Sequence, residues 1–192
     1  YRNNLFIECQ GTLTLRHGNR CLVTGNVFNG QHRKETGGIR IIGENHVVDG
    51  NYLSGIEGDE ARSAICVVNG IENSPPNGYL QVKHALIKNN AILDCKHSIT
   101  IGYADKDVKA PLPPVDCVFS DNYVVSEGNS LIELKDSHAK ITWTDNTMWG
   151  SGTGVGAVPG ISLNQMRMKR AMPPVPARTD VGVTWLSAPA AK

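Results

Sequence analysis

Six short segments of the chain share the pattern of Thr24-Gly25-Asn26-Val27-Phe28, in which an Asn follows Gly, Asn or Asp and precedes strand-forming residues. Gly, Asn and Asp tolerate a positive φ, which a tight corner between two strands requires. The other five segments are Arg2-Asn3-Asn4-Leu5-Phe6, Asp49-Gly50-Asn51-Tyr52-Leu53, Lys88-Asn89-Asn90-Ala91-Ile92, Ser120-Asp121-Asn122-Tyr123-Val124 and Thr144-Asp145-Asn146-Thr147-Met148. Each segment therefore predicts a corner, flanked by apolar residues that favour strand.

The spacing of these corners predicts a parallel β-helix. The six Asn residues lie 22, 25, 39, 32 and 24 positions apart. A period of 22 to 25 residues fits one coil of such a solenoid, whereas a leucine-rich repeat of similar length would need a Leu-x-x-Leu-x-Leu signature that the chain lacks. Successive Asn side chains can then stack, with their amides bonding to the backbone at each bend. The predicted fold class is all-β.

A second strand follows each of the first five corners and gives the coil an inside and an outside. Alternation along a strand places Leu13 and Leu15 inside and Arg16 outside. The same rule places Ile39 inside and Arg40 outside. These second strands are predicted at residues 12–16, 38–42, 64–68, 98–102 and 130–134.

Composition excludes several classes of protein. A length of 192 residues suits one domain, and 40% hydrophobic residues rule out wholesale disorder. The net charge of +1 argues against a nucleic-acid partner, and no apolar run is long enough to span a membrane. The five Cys residues stand singly without a CxxC pair, so a zinc ribbon is not expected.

The repeat divides the chain into two parts. Residues 1–150 carry the predicted coils, and the two long intervals hold insertions at residues 54–81 and 103–116. In a solenoid, insertions emerge as loops, often on the binding face. From residue 151 the pattern fails, and residues 151–192 are predicted to be an irregular C-terminal tail that caps the stack.

Two arginines on neighbouring predicted strands form the first candidate site. Parallel strands in adjacent coils lie about 4.8 Å apart, so Arg16 and Arg40 should be close on the outer face. Because Arg binds carboxylates through two parallel hydrogen bonds, this pair suits an anionic polymer lying across the coils. The alternative is a pair of solvated arginines that form ion pairs with Glu35 or Glu44.

Other polar residues give weaker predictions. His17, next to Arg16, is a possible hydrogen-bond donor to substrate. Asp59 with Glu60, and Asp105 with Asp107, could hold a cation, but solvated loop charges are the simpler interpretation. No His, Cys or Asp residues have metal-ligand spacing, and the several Asp on one sheet that a pectin-type hydrolase would need are not evident.

These residues resemble polysaccharide lyase family 6, which contains alginate lyases and chondroitinase B. The resemblance covers residues 1 to about 150, and its most specific part is Arg16-His17-Gly18 followed by Gly37-Gly38-Ile39-Arg40. The other segments that carry it are Val23-Thr24-Gly25-Asn26-Val27-Phe28, Asn69-Gly70-Ile71, Gln81-Val82-Lys83 and, in the tail, Asp180-Val181-Gly182-Val183-Thr184-Trp185.

The resemblance implies a right-handed parallel β-helix whose relatives cleave uronic-acid polymers by β-elimination. In that reaction a Lys removes the proton at C5, calcium neutralises the adjacent carboxylate, and an Arg donates to the departing O4. Arg16 matches the family's catalytic Arg, and Arg40 matches a position that holds substrate. His17, Arg62 and Tyr79 are further candidates for substrate binding.

The sequence departs from the family at the base. The family's Lys lies on the coil before the Arg, a position that falls before Tyr1, and the calcium ligands lie further upstream still. None of Lys34, Lys83 and Lys88 matches that position. We therefore expect the chain to be the C-terminal part of a lyase catalytic domain, to bind no metal through its own residues, and to be inactive alone.

The expected partner is an anionic polysaccharide, with no nucleic acid and no membrane, and nothing in the sequence indicates an oligomeric state. Alginate is preferred over chondroitin or dermatan sulfate, because sulfated polymers would favour more outward basic residues. A binding β-helix that holds such polymers without cutting them is the alternative. The size of the polymer implies a secreted or periplasmic location.

Overall fold

A computed structural model describes residues 1–126, 130–150, 159–164, 177–179 and 182–184. In this structure the strands of successive coils stack into three parallel sheets, so the prediction of an all-β parallel β-helix is confirmed. Each complete coil contributes one strand to each sheet. The one helical element in these ranges is the 3₁₀ helix Glu60–Arg62, and none of their helices is long and apolar enough to cross a membrane.

The strands are numbered in chain order. Sheet I consists of β1 (Leu5–Ile7), β4 (Val27–Asn29), β7 (Tyr52–Ser54), β10 (Ala91–Leu93), β13 (Tyr123–Ser126), β16 (Asn146–Gly150) and β17 (Ile161–Asn164). Sheet II consists of β2 (Gly11–Leu15), β5 (Thr36–Ile41), β8 (Ile65–Val68), β11 (His97–Tyr103) and β14 (Ser130–Leu134). Sheet III consists of β3 (Leu22–Thr24), β6 (Val47–Asp49), β9 (Leu86–Lys88), β12 (Cys117–Ser120) and β15 (Ile141–Thr144). A separate antiparallel pair joins β18 (Ala177–Thr179) and β19 (Gly182–Thr184).

The six predicted Asn residues form a continuous ladder at the corner between sheets III and I. Each residue before the Asn has a positive φ, between 51° and 64°. The Asn26 amide nitrogen donates to the side-chain oxygen of Asn51 at 2.9 Å, and the Asn51 nitrogen donates to that of Asn90 at 3.0 Å. The same oxygens accept backbone N–H groups, as when Asn51 accepts from Asn26 at 3.0 Å. Buried polar groups are therefore satisfied at every described corner of this row.

The core is a column of apolar side chains stacked in register. Phe6 and Phe28 stack with ring centroids 4.5 Å apart and planes 5° from parallel, which matches the spacing of neighbouring strands. Ile39 and Ile41 are fully buried and Leu15 is 2% exposed, as the alternation predicts. A Cβ on Gly38 would collide with the backbone oxygen of Ala64, so this glycine permits close approach of adjacent coils.

The tail differs from the sequence expectation at one point. Strand β17, within residues 151–192, pairs in parallel with β16 and adds a further strand to sheet I. Its sequence, Ile161-Ser162-Leu163-Asn164, alternates apolar and polar residues as a strand does, although no Asn corner precedes it. Most other residues of the tail lie outside the described ranges, and its capping role stays a prediction.

Candidate functional site

The site lies on the outer face of sheet II. Its outward positions form one row in register, which consists of Thr14, Arg40, Cys66, Thr100 and Glu133. Cys66 and Thr100 are fully buried although they point outward, because the chain covers this part of the sheet. Thr100 bonds to the hydroxyl of Ser63, just after the 3₁₀ helix, at 2.6 Å. The segment before β8 therefore rests on the outer face.

Two loops stand beside this face because β8 and β11 are parallel and end at the same edge. The loop after β8 carries Tyr79, and the loop after β11 carries Asp105. Gly70 and Leu112 exchange two backbone hydrogen bonds, of 2.7 and 3.0 Å, which join the loops. The two loops therefore support one another near the candidate side chains Tyr79 and Asp105.

Tyr79 lies against both predicted arginines. The guanidinium carbon of Arg16 is 4.5 Å from the Tyr79 ring centroid, and that of Arg40 is 5.3 Å from it. Such contacts between a cation and an aromatic ring are attractive. Arg40 Nη2 also donates to the Tyr79 hydroxyl at 3.2 Å, and Arg16 Nε donates to the Gly78 carbonyl oxygen at 3.4 Å. Tyr79 therefore allows two like charges to lie close together.

Asp105 completes this cluster. The Tyr79 hydroxyl donates to Asp105 Oδ2 at 3.1 Å, and the Tyr103 hydroxyl contacts Asp105 Oδ1 at 2.7 Å. Arg40 Nη2 lies 3.5 Å from Asp105 Oδ2. The Tyr103 hydroxyl is also 3.1 Å from Glu60 Oε2. A chain of phenols and carboxylates thus runs from the 3₁₀ helix to Arg40.

The charge states of this cluster follow from its contacts. Burial raises the pKa of Asp105, but hydrogen bonds from Tyr103 and Tyr79 and the charge of Arg40 outweigh it, so the pKa of that carboxyl lies below its usual range. Burial, together with the two neighbouring carboxylates, raises the pKa of Tyr103. Burial also raises the pKa of the Cys66 thiol to about 12. At neutral pH the cluster contains an ionised Asp105, a neutral Tyr103 and a neutral Cys66.

An open cleft of about 390 Å³ adjoins the cluster at Arg40. The floor of the cleft is formed by β2, its wall by the 3₁₀ helix, and one end by Tyr103 and Asp105. The lining residues are Gly11, Thr12, Thr14, Arg40, Asp59, Glu60, Ala61, Arg62, Tyr103 and Asp105. The size suits a small polar group such as one sugar of a chain.

The structure brings four of the five sequence-predicted site residues into one region. Arg16, Arg40 and Tyr79 are in contact, and Arg62 lines the cleft with Arg40. His17 follows Arg16 at the end of β2 and is exposed, outside the cleft lining. The catalytic and binding roles of these residues stay predictions.

The alternative pairing of Arg16 and Arg40 with Glu35 or Glu44 is wrong. Glu35 pairs with Arg62 at 2.9 Å, and Glu44 pairs with Lys83 at 3.2 Å. Asp105 is a loop residue that stays partly in contact with solvent, as the sequence suggests, but it also lies within hydrogen-bond distance of two phenols and pairs with Arg40. The acidic residues of the two insertions could be singled out from the sequence as candidates. The sequence could not show which side chains they would contact.

The described ranges contain no group of three or more His, Cys, Asp or Glu side chains that could hold an ion. Calcium therefore stays a prediction from the family resemblance, with ligands outside these ranges.

Comparison with known proteins identifies the family. A family model described as chondroitinase B matches residues 1–169, so the chain belongs to the chondroitinase B family. The solved structure of the PL6 family alginate lyase AlyGC is 33% identical to this chain, with a TM-score of 0.79 over 95% of it. A mannuronic acid specific family 6 lyase from human gut microbiota is 22% identical, covers 86% of this chain and 39% of that enzyme, and has a TM-score of 0.71. The second likeness supports the fold alone.

A PL6 alginate lyase solved in complex with a trisaccharide is 21% identical, with a TM-score of 0.66 over 98% of this chain and 43% of that one. The chain spans 24% of the length of AlyGC. None of the curated proteins matches it.

Proposed function

We propose that this chain forms part of the substrate site of a secreted or periplasmic polysaccharide lyase that cleaves alginate by β-elimination. The observation that carries the proposal is the contact of Arg16 and Arg40 with one tyrosine, Tyr79, on the outer face of the β-helix. Membership of the chondroitinase B family and the likeness to AlyGC support the same class of reaction.

In this reaction the C5 proton leaves, a C4–C5 double bond forms, and the bond from C4 to the departing oxygen breaks. Arg40 and Tyr79 bind the uronate, and Arg40, already oriented by Asp105, can contact its carboxylate. Arg16 donates a hydrogen bond to the departing O4. Because a guanidinium has a pKa above about 12, its contribution is to stabilise the charge that develops there, with concerted donation.

The remaining parts of the site are assigned from the resemblance. His17 and Arg62 extend the binding surface beyond Arg16 and Arg40. The Lys base comes from outside this chain, so the chain alone is inactive. No step is assigned to calcium, because the described residues do not fit it.

A binding β-helix that holds uronate polymers without cutting them is the second candidate. The same contacts are compatible with it, because Arg16, Tyr79 and Arg40 can bind a uronate carboxylate whether or not a base is present. Dermatan or chondroitin sulfate in place of alginate is the alternative substrate.

The test is the ultraviolet absorbance of the C4–C5 double bond. Alginate and dermatan sulfate are mixed with this chain and with a longer protein that contains it, and the reaction is repeated with Arg16→Ala. The matched control is Arg33→Ala, which removes an exposed arginine paired with Glu8. We expect absorbance from the longer protein on alginate, about 100-fold slower in Arg16→Ala and unchanged in the control. Saturable binding without absorbance would favour the binding β-helix.

A further inference from the structure

His97, at the start of β11, lies between two carboxylates. Its Nδ1 is 2.6 Å from Glu133 Oε1, and its Nε2 is 3.0 Å from Asp59 Oδ1. A neutral imidazole has one N–H group and one nitrogen without a proton, whereas an imidazolium has two N–H groups. Both carboxylates can therefore accept a hydrogen bond from His97 only while the imidazole is protonated.

The two carboxylates are themselves ionised at neutral pH. Hydrogen bonds from Lys96 and His97 lower the pKa of Asp59. Burial raises the pKa of Glu133, but a hydrogen bond from Lys135 and the charge of His97 outweigh it, so the pKa of that carboxyl lies below its usual range. Neither carboxyl therefore supplies a proton to a neutral imidazole, and the bridge depends on the proton of His97.

Two lysines complete the set of charges that face this bridge. Lys96 Nζ is 2.7 Å from Asp59 Oδ1, and Lys135 Nζ is 2.9 Å from Glu133 Oε2. Among the described residues each lysine pairs with one carboxylate, so neither lysine joins the two. Histidine is the side-chain type whose charge ordinarily changes between pH 5 and 8, so His97 is the member of this group that titrates near neutral pH.

Asp59 begins the wall of the cleft beside Arg40. It precedes the 3₁₀ helix Glu60–Arg62, and its side chain makes no capping hydrogen bond to that helix but contacts His97 instead. The next residue, Glu60, has a φ of 57°, a conformation that a long side chain rarely adopts and that its surroundings must hold. A bond that fixes Asp59 therefore helps to fix the start of the wall.

Contacts that do not titrate hold the two ends of this segment. The Gly58 N–H donates to the Thr36 carbonyl oxygen at 2.8 Å, and the hydroxyls of Ser63 and Thr100 are 2.6 Å apart. Loss of the His97 bridge should therefore loosen the wall between these two anchors without unfolding the coil.

We infer that His97 is a positioning residue, which holds the wall of the cleft against sheet II through Asp59 while its imidazole is protonated and releases the wall at alkaline pH. The consequence for substrate rests on the proposed function, because the wall and Arg40, the arginine assigned to the uronate, line the same cleft. The site should therefore bind an alginate oligosaccharide more tightly at about pH 6 than at about pH 8.5.

Three variants separate this role from a simple effect of charge. His97→Gln removes the titrating group. His97→Arg keeps a positive charge and several N–H donors at both pH values. The matched control is Lys96→Gln, which removes one positive charge beside the same carboxylate but leaves the His97 bridge in place. Circular dichroism confirms that each variant is folded.

Two measurements are made on each protein at about pH 6 and about pH 8.5. Mass spectrometry follows backbone hydrogen exchange of residues 59–63, corrected for the intrinsic effect of pH, and reports on the wall without substrate. Fluorescence titration with a labelled alginate hexasaccharide gives the affinity. Groups such as His17 that also titrate in this range are the same in all four proteins, so differences between the pH ratios isolate His97.

We expect the unchanged chain to bind the hexasaccharide roughly three- to tenfold more tightly at the lower pH, with slower exchange in the wall. His97→Gln should bind weakly and exchange fast at both pH values, and His97→Arg should bind tightly and exchange slowly at both. Lys96→Gln should keep the pH ratio of the unchanged chain.

Three results overturn the inference. They are equal exchange of residues 59–63 at the two pH values in the unchanged chain, the same pH ratio in His97→Gln as in the unchanged chain, and loss of the pH ratio in Lys96→Gln, which would mean that charge alone matters. If the unchanged chain binds no alginate at either pH, the proposed function is refuted, and hydrogen exchange alone then decides whether His97 holds the wall.

Discussion

Removing the negative charge of Asp105 should weaken the binding of an anionic polymer. This expectation runs against simple electrostatics, by which Asp105→Asn would strengthen binding of a polyanion. It follows from the contacts of Asp105 with the Tyr79 hydroxyl at 3.1 Å and Arg40 at 3.5 Å. We expect the carboxylate to hold both groups in position in the proposed substrate site.

The size of the effect can be worked from these contacts. A hydrogen bond to a charged group contributes about 1.5–3 kcal/mol when buried. Asp105 is 39% exposed, so water screens its interactions and the expected loss of binding free energy is about 1–2 kcal/mol. That loss corresponds to roughly 5- to 30-fold weaker binding. In Asp105→Asn, the amide oxygen can still accept one of these hydrogen bonds, but the NH₂ group that replaces the second oxygen cannot accept the other.

The assay is calorimetric titration of this chain with an alginate oligosaccharide. Asp107→Asn is the matched control, because it makes the same charge change in the same loop at an exposed position. We expect weaker binding in Asp105→Asn, unchanged or slightly tighter binding in Asp107→Asn, and partial recovery in Asp105→Glu. If Asp105→Asn binds as tightly as Asp107→Asn, then Asp105 does not orient the site and the reasoning is refuted.

Three further predictions concern the fold. Asn51→Ala removes the oxygen that accepts two hydrogen bonds from Asn26, one from its backbone N–H and one from its side-chain amide. It should lower the free energy of unfolding by about 2–6 kcal/mol in urea denaturation, whereas the exposed Asn77→Ala should change it little. Burial outweighs a hydrogen bond to the backbone and lowers the pKa of His46. The unfolded chain therefore binds more protons than the folded chain, and stability should fall as pH drops through about 6.5. The urea midpoint of His46→Gln should depend less on pH between 7.5 and 5.5 than that of the unchanged chain, and an equal dependence would contradict this. Because Cys66 is buried and its pKa is raised to about 12, iodoacetamide at pH 8 should label the exposed Cys9 and leave native Cys66 unmodified; mass spectrometry after short exposure tests this.

The Asn corners could be predicted because their chemistry is local. The residue types at Asn3, Gly25 and Gly50 already favour a positive φ, and the Asn after each one has an amide that fits the ladder. A second row of corners, before sheet III, is marked less consistently in the sequence. Asn45 and Asp116 have φ of 59° and 53° and are residue types that favour a positive φ, but Arg20, with φ of 58°, gives no such signal.

What holds the second row is contact between coils. The Arg20 N–H donates to the Glu44 carbonyl oxygen at 3.0 Å, and the Asn45 N–H donates to the Lys83 oxygen at 2.9 Å. Hydrogen bonds of this kind form only once the neighbouring coil is in place. They offset the conformational free energy of a residue with positive φ, but they depend on no particular residue type and cannot be recognised in the sequence.

The candidate site likewise contains residues that the sequence predicts and contacts that only the folded structure shows. Arg40 follows from strand alternation, and the structure places it on the outer face, where it lies opposite Thr14 and not opposite Arg16. Arg16 lies just after β2, and both arginines reach the same ring, that of Tyr79. Asp105 meets Tyr79 only because two insertions rise from the same edge of sheet II, 26 residues apart in sequence. No pattern within either insertion determines that meeting, because it depends on the paths of both loops.

The Asn ladder also gives the β-helix a direction. Along the ladder each side-chain N–H points to the oxygen of the next coil toward the C-terminus, from Asn4 through to Asn146. The amide dipoles are therefore aligned in one row, and aligned hydrogen bonds polarise one another, strengthening each by about 10–30%. Turning a single amide over would set N–H against N–H on one side and oxygen against oxygen on the other. The amides must therefore all have the same orientation, and a coil that shifted by one residue would lose its hydrogen bonds to the ladder.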